Sequence, residues 1–201
     1  MRRLLLVPTV AIALVCAEAP LAAAPTRVTI VGDSVAAELN VDPHARSLLS
    51  RGRLHVDLEL TACRRLAKPS CTVAGVQPPT LLQLIAEEGR ALGPAAVVAV
   101  GYNDNDVGFT QTVGEVLDAF ARAGVRRVVW LTYRAARHDL LHMNASLRAI
   151  ALRRPQLTIL DWNRYSRGHP SWFGADGVHL TPAGAEALAT FLRTQLPHLL
   201  G

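Results

Sequence analysis

Ser34, in the stretch Val31-Gly32-Asp33-Ser34, and the pair Asp176 and His179, in Asp176-Gly177-Val178-His179, are residue types that can perform nucleophilic chemistry together. A serine hydroxyl is a weak nucleophile until a base takes its proton, and the base needs a neighbour that fixes its tautomer and steadies its charge. Asp176, three residues before His179 on a turn, can reach the near ring nitrogen and leave the other facing Ser34. Asn103, in Gly101-Tyr102-Asn103-Asp104, can add a side-chain amide donor to an oxyanion hole begun by the backbone amide of Ser34. Each residue alone has a plainer role: Ser34 as a helix cap, Asn103 as a turn residue, His179 as an ordinary half-buried histidine. Their joint placement turns the balance toward a catalytic set.

That placement depends on the elements around them. Apolar, β-branched runs at Arg27 to Val31, Leu54 to Leu60, Ala95 to Val100, Arg127 to Thr132 and Leu157 to Leu160 read as five strands. Helical spacing of apolar residues fills the intervals over Val35 to Arg51, Thr80 to Leu92, Val113 to Ala123 and Leu140 to Arg153. A last helix is expected after Thr181, a capping residue, with Pro182 in its first turn and Ala187, Leu188, Phe191 and Leu192 on one buried face. Strands alternating with helices predict a parallel sheet with crossover helices, and ligands of such sheets bind beyond the carboxyl ends of the strands. Ser34 follows the first strand, Asn103 the third, and Asp161-Trp162 with the segment to His179 the fifth. The polar chemistry therefore collects at one rim, where a helix dipole after Ser34 would assist.

With Gly32-Asp33-Ser34, Gly101-Tyr102-Asn103-Asp104 and Asp176-Gly177-Val178-His179 in this order, the chain resembles the SGNH hydrolases, the GDSL-like esterase and lipase superfamily, over essentially all of residues 25–201. The stretch "DGVHLTPAGAEAL" is particularly similar to the C-terminal block of secreted bacterial members and of SGNH domains attached to membrane acyltransferases. The resemblance implies a flavodoxin-like three-layer α/β/α sandwich around a five-stranded parallel sheet, with no metal or organic cofactor. It also implies Ser34 as nucleophile and first oxyanion donor, Asn103 as oxyanion asparagine, His179 as base and Asp176 as its orienting acid. One departure stands out: the family's glycine after strand two, whose amide completes the oxyanion hole, is replaced in Thr61-Ala62-Cys63-Arg64-Arg65, leaving Cys63 or Arg64 as the alternative donor.

Bulk properties set the compartment and exclude other classes. Arg2 and Arg3, the apolar run Leu4 to Ala17 and Ala22-Ala23-Ala24 read as a secretory signal over residues 1–24, with one domain over 25–201 and export from the cell as the expectation. Cys16 lacks the small preceding residue of a lipidation signal, and no later stretch is apolar enough to insert stably in a bilayer. Cys63 and Cys71 are expected to form a disulfide, since neither has a histidine or a second cysteine pair at zinc spacing. The net charge of +5 is nearly all arginine, scattered, with few aromatics and no nucleic-acid motif, so nucleic acid is excluded as a partner. The remaining histidines, His44, His55, His138, His142, His169 and His198, read as surface or packing residues, Asp161 and Trp162 as a strand-end cap and a core aromatic or as pocket lining, and Asn144-Ala145-Ser146 as a glycosylation triplet only in form.

An α/β-hydrolase fits poorly, because Gly32-Asp33-Ser34-Val35-Ala36 lacks the last glycine of its nucleophile elbow. The expected function is a monomeric, secreted serine esterase acting on short-chain or carbohydrate O-acetyl esters, the absence of any long insertion implying an open site. An acyltransferase acting on cell-wall carbohydrate and a catalytically silent carbohydrate- or lipid-binding domain remain as alternatives.

Overall fold

A computed structural model describes residues 26–52, 54–135 and 137–200; the expected leader, residues 1–24, lies outside the described residues. Five strands form one all-parallel sheet: β1 (Thr26–Gly32), β2 (Leu54–Leu60), β3 (Ala95–Ala99), β4 (Arg127–Leu131) and β5 (Leu157–Leu160), in the order β2-β1-β3-β4-β5. The strand order reverses between β1 and β3, and open sheets of this kind form a ligand crevice at that switch point. Register brings the strand ends together, with Gly32 opposite Leu60 on one side and Ala99 on the other. The expected strands are all present, to within a residue at either end.

Two cores clothe the two faces, as period-two alternation requires. Val31, Val98 and Trp130 point to one face, covered by α3 (Leu81–Glu88), α4 (Phe109–Ala123) and α5 (His138–Ala151). Ile30, Val97 and Val129 point to the other, covered by α1 (Glu38–Val41), α2 (Pro43–Leu49) and α7 (Pro182–Leu200) through residues such as Leu39, Leu188 and Leu192. The result is the expected flavodoxin-like α/β/α sandwich.

Differences from the sequence expectation have local causes. The single helix expected over Val35 to Arg51 is two short helices: Asp42 is extended (ψ 116°) ahead of Pro43, and its carboxylate accepts from Ala45 N at 2.7 Å to cap α2. The segment from Ser34 to Ala37 is a turn, so no long helix dipole points at Ser34. After α3, capped reciprocally by Thr80 and Gln83, the chain tightens into a 3-10 turn over Gly89–Leu92. A further short helix, α6 (Trp162–Ser166), opens on Asp161, whose side chain accepts from Arg164 N at 3.1 Å. Trp162 is a buried core aromatic, so Asp161 and Trp162 serve as cap and packing residue. Asn144 is buried in α5, paired with both backbone groups of Tyr133 at 2.7 Å, which removes its triplet from any glycosylation role.

Candidate active site

Ser34 leaves β1 through a turn that depends on close packing at Gly32, where a methyl group would come within 2.7 Å of Ala36 Cβ and Leu60 Cδ2. Around the turn, Ala36 N and Ala37 N donate to Asp33 O and Ser34 O at 3.2 and 3.3 Å. The Ser34 side chain is thereby held at the rim, half-exposed, with His179 Nε2 at 2.9 Å from its Oγ. Among the described residues, the Ser34 N–H donates to no protein acceptor, which leaves it available to a bound oxygen.

His179 reaches Ser34 from a loop after β5. Phe173 bridges Leu180, and Gly174 N donates to His179 O at 2.8 Å, so the loop closes on itself before Thr181 caps α7 through Gly184 N at 3.2 Å. Gly177 adopts φ 70°, a left-handed conformation suited to glycine, and lets the chain fold back over Asp176. Asp176 Oδ1 accepts from the amides of Val178 and His179 at 2.9 and 3.0 Å, while Oδ2 lies 2.5 Å from His179 Nδ1. The hydrogen bond from His179, helped by those amides, holds the Asp176 carboxyl down at about 2. A carboxylate here makes Nδ1 the protonated nitrogen and leaves the Nε2 lone pair facing the Ser34 hydroxyl. His179 and Asp176 side chains are 52% and 51% exposed, so the site is open to solvent.

Asp33 enters the sequence analysis only as part of the Gly32-Asp33-Ser34 block, yet this fully buried carboxylate fastens the first block to the third. Its Oδ2 accepts from Gly101 N and Tyr102 N, both at 3.0 Å, and its Oδ1 from Val35 N at 3.0 Å. Burial pushes the Asp33 carboxyl up to about 6, against the pull of these amides. Asp104 performs a similar task toward the loop after β2, accepting from Leu66 N at 3.2 Å and Arg65 Nε at 3.3 Å. Burial raises its carboxyl too, opposed by Leu66 and Arg65. The available sequence signal was the acid type itself, adjacent to Ser34 and to Asn103 at strand ends.

Asn103 Nδ2 donates to Arg64 O at 3.2 Å, joining the third block to the loop after β2 and leaving its second amide hydrogen uncommitted. In that loop Cys63 has φ 63°, a conformation favoured by glycine, and is bonded to Cys71 in a disulfide with Cα atoms 5.2 Å apart. Ser70 Oγ donates to Cys63 O at 2.6 Å within the same ring. Position 63 thus carries a cysteine side chain on a left-handed backbone conformation of the kind glycine favours. Arg64 is 3% exposed, and its guanidinium donates to Glu59 O and, at 3.2 Å, to Pro79 O, so its side chain braces the loop from within.

Of the other histidines, His44 contacts Glu186, His55 Asp57 and His142 Asp106, His138 packs edge-on against His142, His169 stacks on Trp172, and His198 is exposed near the end of α7. Among the described residues, no group of three or more His, Cys, Asp and Glu side chains is arranged to hold a metal ion.

With fold and site in view, the chain can be set beside known proteins. No protein-family model matches it. It is 33% identical over 101 residues to the O-acetyltransferase OatA of Staphylococcus aureus (strain NCTC 8325 / PS 47), an alignment covering 50% of this chain and 16% of that one. It is 29% identical over 168 residues to the peptidoglycan O-acetyltransferase OatA of Listeria monocytogenes, covering 83% of this chain and 23% of that one. The chain therefore spans less than a quarter of the length of these two relatives. Among solved structures, a carbohydrate acetylesterase family member from Sinorhizobium meliloti superposes with a TM-score of 0.66 at 15% identity, covering 88% of this chain and 99% of that one. A family 3 carbohydrate esterase from Clostridium thermocellum superposes with a TM-score of 0.55 at 15% identity and the same coverages. At these identities the structures speak for the fold, a three-layer sandwich shared with these esterases. This fold and the ordered sequence blocks are together consistent with the SGNH hydrolase superfamily that the sequence resembles.

Proposed function

We propose that the protein is a serine esterase that removes short acyl groups, acetyl foremost, from carbohydrate esters through an acyl-enzyme. The observation that carries this reading is the hydrogen-bonded line Asp176 to His179 to Ser34, at 2.5 and 2.9 Å, standing open at the rim. His179 Nε2 takes the Ser34 proton as Oγ attacks the ester carbonyl, and Asp176 stabilises the imidazolium so formed. The carbonyl oxygen becomes an oxyanion held by Ser34 N–H and the uncommitted hydrogen of Asn103 Nδ2. Cys63 N–H or Arg64 N–H is the further donor, neither of which makes a hydrogen bond inside the protein among the described residues. As the tetrahedral centre collapses, His179 returns the proton to the departing alcohol. Water, deprotonated by the same imidazole, then releases the acid and restores Ser34.

Hydrolysis of p-nitrophenyl esters from acetate to palmitate tests this directly. Turnover should be greatest on the shortest esters, and Ser34→Ala should lower it by roughly 10⁴-fold or more. Undiminished turnover by Ser34→Ala would defeat the assignment.

A second reading has its own support in the O-acetyltransferase relatives. In it, the same acyl-enzyme is discharged by a sugar hydroxyl in place of water. Supplying an acetyl donor together with cell-wall sugars separates the two readings: acetylated sugar supports transfer, and free acetate alone supports hydrolysis. In either case we place the protein outside the cytoplasm, a compartment in which the Cys63–Cys71 disulfide would persist. Finding it in the cytoplasmic fraction of its host would overturn that placement.

A further inference from the structure

A groove of about 300 Å³ opens beside the loop that carries His179, lined among others by Gly177, Asn163, Arg134 and Arg167. Gly177 lies between Asp176 and His179, so this groove adjoins the catalytic loop on the base's side. In the ester chemistry proposed above, the departing alcohol must face His179, which protonates it. A substituent of that alcohol extending past His179 along the same loop would reach the groove at Gly177.

Among the described residues neither of its two arginines pairs with a carboxylate, unlike Arg27, Arg65, Arg137, Arg148 and Arg154, so the groove's positive charge is not neutralised within the protein. Arg134 is nonetheless fixed: its guanidinium carbon lies 3.8 Å over the Phe173 ring, its Nη1 donates to Ser166 O at 3.2 Å, and its own amide donates to Tyr102 Oη at 2.7 Å. Asn163 Oδ1 accepts from Ala135 N at 3.0 Å, which pins the opposite wall and leaves its amide hydrogens free to donate. A preorganised guanidinium with a second one nearby and an amide donor matches the planar, two-oxygen geometry of a carboxylate.

We propose that this groove is a carboxylate subsite, selecting esters whose alcohol portion is an anionic sugar such as a uronic acid. The proposal rests on the esterase reading, and the test separates the two. Mono-O-acetyl esters of methyl glucuronoside and methyl glucoside would be hydrolysed side by side, and binding of the two unacetylated glycosides would be followed by NMR titration. The protein should favour the glucuronoside ester in kcat/KM by on the order of tenfold, and bind glucuronoside in preference to glucoside to a similar degree, as expected of one charge-assisted contact. Both preferences should weaken in high salt. Arg167→Glu should abolish or reverse both preferences, and Arg134→Lys, which keeps charge but loses the planar fork, should reduce them. Equal treatment of the two sugars, or a preference that survives Arg167→Glu, would overturn the subsite. If neither ester were hydrolysed, the esterase reading would fail, and the binding titration would still decide the groove.

Discussion

Asp33 is cut off from water one residue before Ser34, and its three backbone donors are what align the turn of β1 with the turn of β3. Because burial raises its carboxyl to about 6 while the unfolded chain titrates near 3.8, the native state binds more protons between these values. Its contribution to stability is therefore greatest below about pH 4 and is lost as pH rises through about 6. Asp176 works in the opposite sense: held at about 2, it contributes above the ordinary carboxylate range and loses that contribution as pH falls from about 4 to about 2. Its half-exposed position keeps the effect small. Urea midpoints measured from pH 3 to pH 7 should show a decline between about pH 4 and 6 that Asp33→Asn flattens; an unchanged slope in the variant would remove Asp33 as the cause. For Asn103, replacement by alanine should lower kcat by roughly 100- to 1000-fold with far less effect on KM, as loss of one oxyanion donor does elsewhere. A change confined to KM would make Asn103 a ground-state contact only. The residues meeting at the rim were legible because serine, asparagine, acid and histidine stand at strand ends in order. Asp33 and Asp104 were not, because nothing in an isolated carboxylate announces which distant amides it will accept from.

At the scale of elements, the strands were legible from their β-branched runs, and the helices where apolar spacing was long. Two of the differences from expectation each came from one residue's local preference overriding periodicity. Pro43 with its capping Asp42 divides a pattern that reads as one helix, and Asp161 starts a helix too short to show a period. The loop after β2 is harder still, since a cysteine gives no hint that its backbone will take a glycine's conformation. That conformation can be tested. Removing the disulfide, which joins residues 8 apart, should cost about 2.5 kcal/mol of stability on the loop-entropy scale. In such a background, Cys63→Gly with Cys71→Ala should retain most ester turnover, whereas Cys63→Val with Cys71→Ala should lose it, because a β-branched side chain resists positive φ. Equal activities of the two variants would show that the backbone angle at position 63 is irrelevant to turnover.

For the molecule as a whole, strand order matters more than any single contact. Placing β1 and β3 side by side sets Ser34 next to the third block, and the return of the chain from β5 over the same rim brings His179 to Ser34 across a sequence separation of 145 residues. Two separately packed cores hold this frame, so a half-exposed site can be rigid without being enclosed. The central claim is that Ser34 is a nucleophile made reactive by His179, and the most direct measurement is covalent labelling with a fluorophosphonate, located by peptide mass spectrometry in the unmutated protein and in His179→Ala. A single label on Ser34, formed in the unmutated protein and strongly suppressed in His179→Ala, is the expected result. Absence of label from Ser34 in the folded, unmutated protein, or labelling that proceeds equally without His179, would contradict it.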